Sequence, residues 1–148
     1  MNIKEDPFSD LLLKESFFLL VKPEDNIYSN TSLRNLFFDE LRSLVKLGLK
    51  NIEISWSNNK KWLDFVSEIK LIFPQINLGS ASIVNKQSIE DSLKIGLNFS
   101  MMKFWDKDLF NYSKSKNYLL IPGIKNLKIS LESDKLKLQH YQNLSNKK

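Results

Sequence analysis

The side chains best suited to chemistry are a carboxylate on an alternating segment and a few lysines and hydroxyls near segment ends. Asn51-Ile52-Glu53-Ile54-Ser55-Trp56-Ser57 alternates strictly. In an extended strand this places Ile52, Ile54 and Trp56 on one face and Glu53, Ser55 and Ser57 on the other. A carboxylate turned toward a partly apolar cavity can shuttle protons, because desolvation raises its pKa toward useful values. The plainer fate of such a glutamate is a solvated or salt-bridged position. Lys103 follows Phe99 and Met101 at a period of two and shares their face. Burial there would make its amine a nucleophile, whereas the ordinary arrangement is a lysine reaching into solvent. Lys125 is similar. Ser82 closes the run Gly79-Ser80-Ala81-Ser82, where a hydroxyl usually forms a turn or caps the next helix.

Other chemistries find little support. His140 is the single histidine and cysteine is absent, so neither a zinc site nor a histidine-based triad has its ligands. The four glycines are far apart, which leaves no phosphate-binding loop. We expect no metal and no cofactor.

Positioning these groups is the task of a regular alternation of segments. Ser16 to Lys22 is a short apolar run closed by Pro23, as for a strand buried on both faces. Ser32 is the expected N-cap of a helix with apolar positions Leu33, Leu36, Phe37, Leu41, Leu44, Val45 and Leu47, stopped by Gly48. The strand around Glu53 follows, then a helix from Lys61 that ends at Pro74. Ile76 to Ser82 is a third strand, and Lys86 to Lys94 is a helix stopped by Gly96. Phe99 to Phe104, Lys107 to Ser115 and Tyr118 to Ile121 complete five strands alternating with helices. A spacing of about 20 to 25 residues between strands implies right-handed crossovers and a parallel sheet, with ligands at the carboxyl ends of the strands. Beyond Pro122-Gly123 the pattern weakens into a partly alternating stretch, Leu127 to Leu138.

The chain has 148 residues and 42% hydrophobic content, which suits one domain over 1–148. Residues 1–15 and 139–148 read as loosely ordered tails. No cysteine and no signal-like start point to the cytoplasm, and no apolar run is long enough to span a bilayer. The net charge is +5, but only Arg34 and Arg42 supply guanidinium groups. Base and phosphate recognition favour arginine, so neither nucleic acid nor membrane is an expected partner.

Four stretches taken together resemble the 2-keto-3-deoxy-6-phosphogluconate (KDPG) / 4-hydroxy-2-oxoglutarate (KHG) aldolase family. They are LVKLGLKNIEISWSN (Leu44 to Asn58), FPQINLGSASIVN (Phe73 to Asn85), SLKIGLNF (Ser92 to Phe99) and YLLIPGI (Tyr118 to Ile124). The resemblance covers about two thirds of the chain, and its strength lies in the order and spacing of the pieces. It implies an α/β fold: a partial TIM-type (β/α) barrel of about five parallel βα units, lacking the C-terminal units. It places Glu53 on the family's catalytic glutamate and Ser82 on a hydroxyl near the substrate carboxylate. Lys22 ends strand one where the family usually has arginine, which keeps the charge but loses the bidentate fork. Lys103 stands at the family's strand-four proline and Ser57 at its strand-two arginine, both substrate-holding positions.

The family's Schiff-base lysine lies in a V-K-F-F-P-A-like segment, and nothing after Gly123 resembles it. The resemblance therefore implies a truncated or divergent lyase acting on 2-keto-4-hydroxy acids, with weak or absent activity. Its small-molecule partner would be a 2-keto acid such as pyruvate, and its assembly a homo-oligomer, the family's being a trimer. The alternative is a non-catalytic oligomeric interaction or small-acid-binding module.

Overall fold

A computed structural model describes residues 18–123. Strand β1 is Leu19–Val21, followed by a single 3-10 turn at Asp25–Tyr28 and helix α1, Thr31–Lys46. Then come β2 (Asn51–Ser55), α2 (Trp62–Ile72), β3 (Asn77–Ile83), α3 (Lys86–Ile95), β4 (Phe99–Met102), α4 (Lys107–Ser115) and β5 (Leu120–Ile121). The five strands form one parallel sheet in the order β1-β2-β3-β4-β5. Consecutive strands are neighbours throughout, as in a (β/α) barrel. The expected five-unit partial barrel is the observed architecture. Leu127 to Leu138, Lys125, His140 and both tails lie outside the described residues.

One sheet face carries the helices. Ile52 and Ile54 of β2 and Leu78 of β3 pack with Phe38 and Leu41 of α1 and Phe65, Val66 and Ile69 of α2. Trp62 is buried in the same cluster, and its indole N–H donates to the carbonyl of Ser55 at 2.9 Å. A second cluster joins Ile83 and Met102 to Ile89, Leu109, Phe110 and Leu120. Trp56 touches both clusters and donates Nε1–H to Asp91 of α3 at 3.0 Å. Arg34 adds an ion pair from α1 to Glu68 of α2, with its guanidinium 5.5 Å from the centre of the Phe65 ring.

Helix ends follow their capping chemistry, with one shift from expectation. Helix α1 starts at Thr31 because Asn30, not Ser32, is the N-cap, its side chain accepting from Leu33 N–H at 3.1 Å. Asn and Ser cap comparably, and Asn30 stands only two residues before Ser32. Asn85 and Ser88 form a reciprocal capping box at the start of α3, and Gly96 ends that helix in the left-handed conformation with φ 69°. The strands are shorter than their apolar runs suggested: β4 stops at Met102 rather than Phe104, and β5 spans two residues. Gly123 lies against the end of β4, where an added Cβ would collide with the Met102 and Lys103 carbonyls.

Candidate functional site

Glu53 occupies the middle of β2, on the face turned away from the helices. Its partners in register across the sheet are Leu20 of β1 and Gly79 of β3, and Gly79 in turn pairs with Phe99 of β4. The missing side chain at Gly79 matters here. A Cβ built on Gly79 would lie 2.5 Å from two atoms of the Phe99 ring, so that ring lies over the glycine beside Glu53. Phe18 meets Phe99 edge-on, with centroids 5.6 Å apart.

The carboxylate is thus set among apolar groups. Glu53 is 3% exposed, and its Oε1 is buried without a hydrogen-bond partner. No ion pair to it is found among the described residues. Burial pushes its pKa up, because the charged form has lost water without gaining a donor. Neither a solvated position nor a salt bridge describes this glutamate. A carboxyl group in such surroundings can give and take a proton nearer neutrality than a solvated one.

Ser82 reaches the same face by a backbone irregularity. The β3–β4 register shifts between Ser80 and Ile83, and Ser82 adopts φ 60°. Gly79 shares a face with Glu53, and Ser80 points toward the helices, so plain alternation would turn Ser82 toward the helices as well. The bulge resets the phase: Ile83 joins the helix-side cluster, and the Ser82 hydroxyl sits 3.0 Å from that of Ser55. Ser55 lies two residues beyond Glu53 on the same face. Glu53, Ser55 and Ser82 therefore line the carboxyl-terminal part of β2 and β3, where parallel sheets place ligands.

The two lysines are placed differently. Lys22 is exposed just after β1 and lines a groove shared with α1. Lys103 is exposed just after β4, with its ammonium 5.5 Å from the centre of the Phe104 ring. Among the described residues, no ion pair or hydrogen bond links either of them to Glu53. The described residues also contain no group of three or more histidine or acidic side chains able to hold a metal ion. No described helix is long and apolar enough to cross a membrane.

Ser55, Gly79 and Phe99 complete the site, and the sequence only partly revealed them. Strand alternation put Ser55 beside Glu53, but its pairing with Ser82 depends on the bulge. The small-residue run 79–82 was the available signal for that irregularity.

No family model matches the sequence, and no curated protein matches it significantly. Solved structures do. A KDPG aldolase from Legionella pneumophila, with pyruvate captured as a covalent carbinolamine intermediate, superimposes with a TM-score of 0.62 at 13% identity, over 78% of this chain and 52% of that one. A 2-keto-3-deoxy-6-phospho-gluconate aldolase from Zymomonas mobilis gives a TM-score of 0.60 at 18% identity, again over 78% of this chain and 52% of the other. The chain spans about half the length of these structures, and over that half it has the fold of the KDPG aldolases.

Proposed function

We propose that this chain is an aldolase-like 2-keto-acid-binding protein that keeps the proton-transferring carboxylate, Glu53, and performs carbon–carbon cleavage weakly or not at all. The observation that carries the reading is Glu53 itself: buried at 3% exposure, without a partner at Oε1, on the sheet face opposite the helices. A structural glutamate at that place is costly, since an unpaired buried polar group destabilises by about 1 to 3 kcal/mol. Such a group is the kind that persists for a ligand rather than for the fold.

The chemistry separates what Glu53 can do from what it cannot. Retro-aldol cleavage of a 2-keto-4-hydroxy acid breaks the C3–C4 bond and leaves its electron pair on the carbon next to the ketone. A lysine amine that has formed an iminium with the ketone accepts that pair as an enamine, while a carboxylate takes the proton of the C4 hydroxyl. Glu53 suits the second role. For the first, none of the 148 residues stands in a V-K-F-F-P-A-like segment, and Lys103 is exposed beside Phe104. Without the iminium the pair would have to collect on the ketone oxygen, and among the described residues neither Lys22 nor Lys103 is linked to Glu53. Binding survives that loss better than turnover does, because Ser55 and Ser82 present hydroxyls that can donate to a carboxylate.

Pyruvate titration followed by carboxyl and amide NMR tests this reading. We expect binding on the order of 1 mM, with shifts centred on Glu53, Ser55 and Ser82 and weakened about tenfold by Glu53→Gln. Saturating pyruvate that leaves these signals unmoved would remove the keto acid from the account.

A further inference from the structure

Helix α1 carries an apolar face that the described residues leave uncovered. Leu33, Leu36, Leu44 and Leu47 are 37%, 56%, 40% and 84% exposed. They lie at i, i+3, i+11 and i+14, a single stripe of a 3.6-residue helix. Scattered exposed leucines are ordinary, but a contiguous stripe on an edge helix marks an interaction surface.

The stripe has two unlike halves. At its N-terminal half, a groove of about 240 Å³ opens between β1 and α1, floored by Val21, Ile27, Leu33, Leu36 and Phe37 and closed by Glu40. Residues 33, 36, 37 and 40 are spaced as the four positions that form a hole for a knob side chain in coiled-coil packing. The groove falls below the ~300 Å³ at which small-molecule pockets begin, so a side chain fits it better than a ligand does. At the C-terminal half stands a knob, Leu47, just past the last turn of α1.

Charge follows the same division. The groove rim bears Glu24 and Glu40 against Lys22 alone. The knob is preceded by Lys46, and neither Lys46 nor Glu40 forms an ion pair within the described chain. Groove and knob, acidic rim and basic flank, all sit on one chain. A surface complementary to itself in this way closes around a two-fold axis.

We propose that this face joins two copies of the chain, α1 against α1 in antiparallel orientation, with Leu47 of each copy seated in the groove of the other. Lys46 then approaches the partner's Glu40. This interface is independent of the keto-acid reading, since it uses none of Glu53, Ser55 and Ser82.

Sedimentation velocity of the full chain between about 5 and 200 µM tests it. The expected result is a monomer–dimer equilibrium that Leu47→Glu shifts at least about tenfold toward monomer. Circular dichroism melting of the dilute protein should be unchanged by that substitution, because Leu47 is 84% exposed. Lys46→Glu should weaken the dimer, and adding Glu40→Lys to the same chain should restore it. A monomer at every concentration, a trimer, or a dimer indifferent to Leu47→Glu would overturn the proposal. A lower melting temperature for dilute Leu47→Glu would overturn it too, showing that the chain itself covers this face.

Discussion

At the scale of the residue, Glu53 makes the sharpest demand. Burial raises its pKa, so between the ordinary carboxylate range and its raised folded value the native state holds more proton than the unfolded state does. Stability must therefore fall as pH rises through that window. Glu53→Gln removes the titration, so its melting temperature should exceed that of the parent above the window and converge on it below. Paired thermal melts across pH check this, and parallel curves would mean that Glu53 ionises as it does in water. Ser82 carries a different cost. A non-glycine residue at φ 60° is strained by about 1 to 2 kcal/mol, and the Ser55 hydrogen bond offsets about 1 of that. Ser82→Gly should leave stability equal or higher by up to about 1 kcal/mol in urea titration while weakening pyruvate binding.

How much of this site was legible follows from which contacts make it. Strict alternation in residues 51–57 fixed which face Glu53 takes, because period two is a property of the strand alone. Its burial was not legible, since nothing within residues 51–57 reveals what packs over them, such as the Phe99 ring that lies on neighbouring Gly79. The bulge at Ser82 was also hidden: small residues permit a left-handed turn in a strand without compelling one.

At the scale of the element, local signals are decisive where one residue suits a position and ambiguous where two compete for it. Gly96 stops α3 because a left-handed C-cap favours glycine. Asn30 and Ser32 both suit the start of α1, and the structure selects Asn30. Asn30→Ala should then cost about 1 kcal/mol, whereas Ser32→Ala should be nearly silent; equal effects in chemical denaturation would contradict the observed cap. The sheet makes a stronger claim at Gly79. Gly79→Ala drives a methyl into the Phe99 ring, and overpacking of this kind costs about 1 to 3 kcal/mol. Phe99→Leu in the same chain should recover part of that loss. Strands β4 and β5 were overestimated from sequence because an apolar run continues past the last ladder hydrogen bond. Pattern reports burial, and pairing ends where neighbouring strands part.

At the scale of the molecule, alternating strands and helices at regular spacing were enough to specify a parallel sheet in sequential order. That order admits few topologies once crossovers are right-handed. The surfaces at its two edges are another matter. Nothing in the period of α1 distinguishes leucines that meet β1 from leucines that meet a second chain, and only the three-dimensional arrangement shows Leu36 and Leu47 uncovered. The same holds for function: under the proposed reading this half barrel would offer the carboxylate, Glu53, whereas retro-aldol cleavage through an iminium also needs an amine.

The most direct test of that central claim is borohydride trapping of the folded 148-residue protein with pyruvate, read by intact mass and peptide mapping. A reduced pyruvyl adduct forms only if some lysine makes a Schiff base. The expected result is an unchanged mass under conditions in which pyruvate is bound. A stoichiometric adduct on a single lysine would contradict it and identify the nucleophile of an active aldolase.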